Sequence, residues 1–200
     1  MPHYDLLVIG TGPAGQKAAI QAAKLGKKVG ILERKTVLGG VCINTGTIPS
    51  KSLREAVLYL SGFRQRSIYG GEYRLKKTIT IEDLAFRANH VIKHEIQIVQ
   101  QQMARNQVDM YFGTASFLDP HRLHVQTPRG ALELTADFFV IAVGTEPARP
   151  SEVPFDDHTI IDTDGLLSLL HIPKSLVIVG GGVIGTEYAP LLAALGVPVT

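Results

Sequence analysis

The chain has 200 residues, of which 45% are hydrophobic and 19% are charged, and this composition excludes intrinsic disorder as its main state. Twenty basic residues against 18 acidic ones leave a formal charge of +2. So small an excess does not supply the phosphate neutralisation on which nonspecific nucleic-acid binding depends. We therefore expect a folded protein without a nucleic-acid partner.

Cysteine usage and the length of the apolar runs indicate the compartment. Cys42 is the single cysteine, so no internal disulphide can form, and the seven histidines show no metal-ligand spacing. No apolar run approaches the roughly 18 residues that a membrane helix needs, and no basic segment precedes the first run. The sequence therefore predicts a cytoplasmic protein with no metal site and no membrane partner.

The first 33 residues follow the order strand, turn, helix, strand. Asp5–Ile9 is a short apolar run, typical of a strand that is buried on both faces, and the glycine-rich turn of residues 10–15 follows directly. Residues 16–25 form a predicted helix, and residues 28–33 form a second predicted strand that ends in a glutamate. This order, with an acid about 20 residues beyond the turn, is that of a dinucleotide-binding βαβ unit.

Each residue of this turn has a physical role in such a unit. Gly10 permits the tight turn, Gly12 lets the main chain approach a pyrophosphate, and Gly15 allows close packing of helix on strand. The free N–H groups at the start of the helix favour the phosphates, and Glu33 would accept hydrogen bonds from the adenosine ribose.

Two helices and a run of short strands are predicted between the first unit and a proline-rich linker. The helices cover residues 50–61 and 81–105, and Thr80 and Asp83 bracket the start of the second one as N-cap and first-turn acid. The strands are Met110–Phe112, Ser116–Leu118, Leu123–Gln126, Leu132–Thr135 and Phe138–Ala142. Residues 127–130 form a predicted hairpin turn.

The glycine-rich unit occurs a second time near the end of the chain. Ser175–Val179 is its predicted first strand, and Val197–Thr200 is its predicted second strand. The glycines of the turn are Gly180, Gly182 and Gly185. An acid at the spacing of the first copy would lie beyond Thr200, so we expect the chain to be truncated within a domain. Pro190 lies in the helix of this unit, where we expect a kink or a local loss of helix.

Residues 38–51 carry the most specific pattern in the sequence. They read L-G-G-V-C-I-N-T-G-T-I-P-S-K, which resembles the active-site segment G-G-x-C-x-N-x-G-C-x-P-S-K of the flavoprotein pyridine nucleotide-disulphide oxidoreductases. Cys42 matches the first cysteine of that pattern, but Thr47 stands where the second cysteine would be. With one sulphur the segment has no dithiol to accept electrons, so reduction of disulphide substrates is disfavoured.

Within that superfamily, residues 46–57 resemble the flavoprotein-type NAD(P)+ transhydrogenases. The resemblance spans residues 4–200 and implies FAD as cofactor and NAD(P)(H) as substrate. It places FAD on Gly10, Gly12, Gly15, Glu33, Gly40, Cys42, Lys51, Ala115 and Gly144. It places the nicotinamide nucleotide on Gly180, Gly182 and Gly185. Lys51 and Glu187 would be the catalytic residues, as an ion pair beside the reactive end of the flavin.

The sequence therefore predicts an α/β, FAD/NAD(P)-binding Rossmann-like fold with two nested dinucleotide-binding domains of the three-layer ββα type. Residues 1–146 would be the first segment of the FAD-binding domain, and residues 147–200 the incomplete start of the NAD(P)-binding domain. We expect Cys42 to be buried beside the flavin and the Lys51 ammonium to be desolvated.

The resemblance implies hydride transfer between NADPH and NAD+ by a longer, homo-oligomeric parent, with the 200 residues inactive alone. Two alternatives remain open. One is a dihydrolipoamide dehydrogenase-like or NADH oxidase-like flavoprotein, and the other is a non-catalytic nucleotide-binding fragment. The residues beyond Thr200 would discriminate between NADH and NADPH.

Overall fold

The computed structural model describes all 200 residues, and they divide into two compact units. The first unit consists of residues 1–44 and 92–146, and the second consists of residues 45–91 and 147–200. Each unit is therefore built from two separate segments of the chain.

A six-stranded sheet forms the centre of the first unit. Its strands are β1 (His3–Ile9), β2 (Val29–Glu33), β3 (Asp109–Phe112), β4 (Thr114–Asp119), β5 (Arg122–Thr127) and β6 (Gly130–Ile141). The spatial order is β3-β2-β1-β6-β5-β4. Strands β3, β2, β1 and β6 run parallel, while β5 pairs antiparallel with both β6 and β4. The sheet thus combines a parallel half with an antiparallel meander.

Six α-helices accompany these strands. They are α1 (Pro13–Lys24), α2 (Gly40–Asn44), α3 (Thr47–Leu60), α4 (Arg66–Tyr69), α5 (Ile81–Arg105) and α6 (Val183–Ala194). Two 3₁₀ turns lie at Phe63–Gln65 and Gly165–Ser168. None of the helices is both long and apolar enough to cross a membrane.

Burial of the parallel strands explains their sequence. All five residues of β2 are buried, as expected for a strand with a neighbour on each side and apolar groups against both faces. The core of this unit is made of Tyr4, Leu7, Leu32, Leu123, Val125, Leu134 and Ala136. Because it draws on β1, β2, β5 and β6, one apolar cluster joins the parallel half of the sheet to the meander.

The structure corrects the boundary of the last strand in this sheet. The predicted strands at residues 132–135 and 138–142 are parts of one strand, β6. It is continuous because it pairs with two different strands in succession. Its first half pairs with β5 and its second half with β1, and Thr135 is paired on both sides. The predicted hairpin turn is confirmed, since Thr127 pairs with Gly130.

The predicted start of the long helix is also confirmed. The Thr80 N–H donates to Asp83 Oδ2 at 2.9 Å, and the Asp83 N–H donates to Thr80 Oγ1 at 3.3 Å. Each side chain thereby satisfies a backbone donor that the first turn of a helix leaves free. The Lys76 ammonium contacts the same carboxylate at 2.6 Å.

Helix α3, the first part of α5 and helix α6 surround the core of the second unit. Its buried members are Leu53, Ala56, Val57, Leu84, Tyr188 and Leu191. Tyr188, Leu191 and Leu192 lie on both sides of Pro190 along α6, and the helix is continuous from Val183 to Ala194. The expected loss of helix at Pro190 is therefore wrong, because packing on both sides holds the helix, while a kink within it stays a prediction.

The strands predicted beside the second glycine turn are shorter than expected. Residues 175–179 and 197–200 form an isolated parallel bridge between Leu176 and Val199 instead of two strands. Three backbone hydrogen bonds of 2.8–3.0 Å join the two segments. A pair of strands without a third neighbour is only marginally stable, so the two segments do not extend into a regular ladder.

The burial of Tyr188 predicts a loss of stability at high pH. Burial, and then the negative charges of Glu187 and Asp164, raise the pKa of Tyr188 from 10.0 to about 12. A raised pKa in the folded state stabilises the fold below pH 10, and this contribution is lost as the pH rises from about 10 to about 12. We expect the urea unfolding midpoint to fall between about pH 9 and about pH 11.5, and to fall less in Tyr188→Phe.

Tyr59→Phe provides the matched control, because Tyr59 lies in the same unit with 63% of its surface exposed. Its midpoint should fall as much as that of the unaltered chain. An equal fall in Tyr188→Phe would contradict the assignment.

Candidate functional site

The carboxyl ends of the four parallel strands meet at one edge of the first sheet. Gly10 follows β1, Glu33 ends β2, Gly113 follows β3 and Ala142 follows β6. The chain leaves β1 towards β2 on one side, whereas β6 lies on the other side of β1. At such a reversal of strand order, open α/β sheets bind their ligands in a crevice at the carboxyl ends of the strands.

The backbone of the protein itself requires two of the glycines in the first turn. Gly10 has a φ of +107°, and a Cβ there would lie 2.2 Å from the carbonyl oxygen of Ala142. A Cβ at Gly15 would lie 1.9 Å from the carbonyl oxygen of Gly10. Both distances are far below van der Waals contact, so these two glycines serve the packing of turn, helix and strand.

Gly12 is different, because a Cβ there would meet no atom of the protein within 4 Å. Its φ of −65° and ψ of 177° are extended backbone that other residues also adopt. Helix α1 begins immediately after it, with no side-chain cap on its first turn. Free N–H groups and open space at a helix start together fit a phosphate group.

Glu33 is buried, and its carboxylate is held by the glycine turn. Oε2 accepts hydrogen bonds from the N–H of Thr11 at 3.2 Å and from the hydroxyl of Thr11, and Oε1 accepts one from the N–H of Lys35 at 2.9 Å. A carboxylate has about four acceptor sites, so this arrangement leaves about one for a ribose hydroxyl.

Thr11 is a residue of this site that reasoning from the sequence missed. Only 2% of its surface is exposed. Besides its bonds to Glu33, its Oγ1 accepts the N–H of Gly39 at 3.1 Å, and its carbonyl accepts Gln16 Nε2 at 2.8 Å. The one available signal was a hydroxyl residue between two glycines, at a position that dinucleotide motifs leave open.

Gly40 and Cys42 lie on α2, next to this turn in the same unit. Gly40 has a φ of +60°, and a Cβ there would lie 3.0 Å from Gly12 Cα, so the two backbones approach closely. Asn44 Nδ2 holds the helix by donating to the carbonyls of Leu38 at 2.8 Å and of Gly40 at 2.9 Å. Cys42 is a free thiol and is half-buried rather than buried as expected.

Two further predicted contacts with FAD, Ala115 and Gly144, lie beyond β3 and β6. The N–H of Gly113 donates to the carbonyl of Glu33 at 2.8 Å, and Ala115 follows two residues later on β4, where it is half-buried. Gly144 has a φ of +70° and follows Ala142 by two residues. Both therefore lie near the strand ends that carry the crevice.

The second glycine turn repeats the geometry of the first. Gly180 has a φ of +112°, and Gly182 has a φ of −75° with a ψ of 178°. A Cβ at Gly185 would lie 2.4 Å from the carbonyl oxygen of Gly180. Helix α6 also begins without a side-chain cap, so this turn offers the same free donors.

The structure confirms the ion pair between Lys51 and Glu187. Both residues belong to the second unit, where Lys51 Nζ contacts Glu187 Oε1. Ser50 Oγ also donates to Glu187 Oε1, at 3.4 Å. The ammonium is not desolvated as expected, because Lys51 projects from the first turns of α3 with 59% of its side chain exposed, against 27% for Glu187.

Comparison with known proteins agrees with this geometry. The family model described as pyridine nucleotide-disulphide oxidoreductase matches residues 4–200. The chain is 55% identical over 202 aligned positions to a soluble pyridine nucleotide transhydrogenase of Mycobacterium tuberculosis, covering 100% of the chain and 43% of that protein. It is 43% identical over 198 positions to the protein of the same name from Pseudomonas aeruginosa, covering 98% of the chain and 42% of that protein.

A solved structure gives the same fold. The flavoprotein disulphide reductase RclA of Escherichia coli, solved as its Cu(II) complex, superposes with a TM-score of 0.81 at 30% identity, over 100% of this chain and 42% of that one. The Rossmann-like fold predicted from the sequence is thus confirmed. The chain spans less than half the length of the relatives that it matches.

Two substitutions test whether the fold requires Gly15 but not Gly12. Gly15→Ala places a methyl group against a backbone oxygen and should lower the free energy of unfolding by at least about 2 kcal/mol. Gly12→Ala meets no protein atom and should change it by less than about 0.5 kcal/mol. Urea unfolding measures both, and equal destabilisation by the two variants would refute the distinction.

Proposed function

Because the chain belongs to the pyridine nucleotide-disulphide oxidoreductase family, we propose that it is the nucleotide-binding part of an FAD-dependent NAD(P)+ transhydrogenase. The reaction of the whole protein would be hydride exchange between NADPH and NAD+. The names of the M. tuberculosis and P. aeruginosa relatives support this activity. The single sulphur of the segment around Cys42 is the observation that favours it over disulphide reduction.

We assign FAD to the crevice of the first unit. Gly12 and the start of α1 would bind the pyrophosphate, and Oε1 of Glu33 would accept a ribose hydroxyl. The remaining contacts within this unit would come from Gly10, Gly15, Gly40, Cys42, Ala115 and Gly144. The open space at Gly12 supports the assignment, because the protein does not fill it. Gly12→Ala should therefore lower the affinity for FAD without altering stability.

The nicotinamide nucleotide would bind at the second glycine turn. Gly180, Gly182 and Gly185 have the backbone geometry of the first turn, which supports a second dinucleotide at this position. In this proposal residues 1–146 belong to the FAD-binding domain and residues 147–200 begin the NAD(P)-binding domain.

When bound, FAD supplies the hydride chemistry, and the residues of the chain position the reactants. Thr11 orients the Glu33 carboxylate, which fixes the adenosine end. Lys51 and Glu187 would hold opposite charges beside the atoms between which the hydride passes. There the ammonium would stabilise negative charge, and the carboxylate would orient the ammonium. Thr47 supplies no thiol, so electrons would leave by way of a second nucleotide.

The alternatives differ in electron acceptor. A dihydrolipoamide dehydrogenase-like protein needs a second redox-active sulphur, which position 47 lacks, whereas an NADH oxidase-like protein would use another acceptor. A fragment that binds nucleotides without turnover fits the 200 residues taken alone. We further propose that the whole protein is a cytoplasmic homo-oligomer. The word soluble in the relatives' names supports the location but does not bear on the oligomeric state.

The whole protein should transfer hydride from NADPH to an NAD+ analogue with double-displacement kinetics. It should show negligible activity on oxidised glutathione or lipoamide, because Cys42 has no partner at position 47. Steady-state kinetics with both substrate classes measure this. Rapid turnover of a disulphide substrate without nucleotide exchange would refute the proposed function.

Glu187→Gln in the whole protein should slow the bleaching of flavin absorbance by NADPH by at least about tenfold, because the ammonium of Lys51 loses its orienting charge. Glu152→Gln is the matched control, since Glu152 is exposed and forms no ion pair. Stopped-flow absorbance gives both rates. An unchanged rate in Glu187→Gln would exclude the proposed role of the pair.

A further inference from the structure

A groove between α1 and the end of α5 lies outside every site assigned above. It belongs to the first unit and has a volume of about 480 Å³. Its polar lining consists of Lys17, Gln21 and Lys24 from α1, of Gln102 and Arg105 from the end of α5, and of Asn106, which follows α5 directly. The three residues of α1 are four and three positions apart, so they share one face of the helix.

The charge of this groove is uncompensated. Lys17, Lys24 and Arg105 line it, and no carboxylate does. None of the three forms an ion pair, whereas other cations of this unit do, such as Lys27 with Asp5 at 3.5 Å. Like charges around one cavity repel each other, so an anion in the groove would lower the electrostatic free energy.

Hydrogen-bond donors accompany the cations. The side-chain amides of Gln21 and Gln102 make no hydrogen bond within the protein, and each offers two N–H groups. Asn106 Nδ2 donates to the carbonyl of Gln102 at 2.8 Å, which fixes that wall of the groove. Cations and amide donors facing one space suit the oxygens of a phosphate group.

The βαβ motif does not require these residues. The positions of α6 that correspond to Lys17, Gln21 and Lys24 are Glu187, Leu191 and Ala194, 170 residues later. There the same helix face is packed, since Leu191 is buried in the core of the second unit. Lys24 and Arg105 also lie in last helical turns, where a cation offsets the helix dipole, but Lys17 does not.

We propose that this groove binds a small anion that carries at least two phosphate groups. Three cations match the charge of a diphosphate, and the volume exceeds that of one phosphate. Ile20 is the one apolar side chain in the lining, and no aromatic ring is present for a base to stack on. The groove therefore selects phosphate groups and not a nucleobase, and this inference does not depend on the proposed enzyme activity.

Isothermal titration of the full chain with inorganic pyrophosphate tests the site. We expect saturable binding that weakens with salt, weaker binding of orthophosphate, and at least tenfold weaker pyrophosphate binding by Lys17→Gln/Arg105→Gln. Lys93→Gln/Arg129→Gln is the matched control, because it removes two exposed, unpaired cations of the same unit and should change the affinity less than about threefold. Gly12→Ala and Gly182→Ala should retain this binding.

Three results would overturn the proposal. The first is the absence of saturable pyrophosphate binding by the unaltered chain, and the second is equal weakening of pyrophosphate binding in the two double variants. The third is loss of binding in a glycine variant alone, which would show that the anion binds at a glycine turn. Thermal unfolding without ligand checks that each variant is folded. Lys17→Gln alone, a change on the exposed flank of α1, should still weaken binding about threefold if the double variant fails to fold.

Discussion

The hydrogen bonds between Thr11 and Glu33 fix the edge of the first sheet at which its parallel strands end. A buried carboxylate is costly unless donors satisfy it, and here the backbone and hydroxyl of Thr11 and the backbone of Lys35 do so. The same threonine accepts the N–H of Gly39, which leads directly into α2. One small side chain thus sets the positions of the first glycine turn, the end of β2 and the start of α2 relative to one another.

The two glycine turns show how backbone sterics alone reproduce a geometry. Gly10 and Gly180 have φ values of +107° and +112°, and the helices that follow the two turns have 12 residues each. Yet α1 carries lysines on an exposed flank, whereas α6 carries Leu191 into a core. The two turns share the positive φ of their first glycine and the lack of room for a Cβ at their last, Gly15 and Gly185. Neither feature constrains the outer faces of the helices, which therefore differ in their partners.

Local physics explains what could be predicted from the sequence. The apolar runs of β1 and β2, the close packing of Gly15 on Gly10, and the reciprocal cap of Thr80 and Asp83 depend on neighbours along the chain, and these predictions are confirmed. The continuity of β6 depends on a change of partner strand, and the continuity of α6 past Pro190 depends on packing, so neither can be read from a short window. Thr11 and the cationic groove could not be predicted from the sequence for the same reason, because their partners come from distant segments of the chain.

Stability and chemistry place different demands on the second unit. An exposed ion pair contributes about 0–1 kcal/mol, so the contact between Lys51 and Glu187 does little to hold α3 against α6. Burial of Leu53, Val57 and Leu191 does that, at about 1.5–3 kcal/mol for each side chain. Because the apolar core fixes the two helices, their first turns present both charges at a set position without depending on the pair. The ion pair between the ammonium and the carboxylate can therefore open and close at small cost to the stability of the fold.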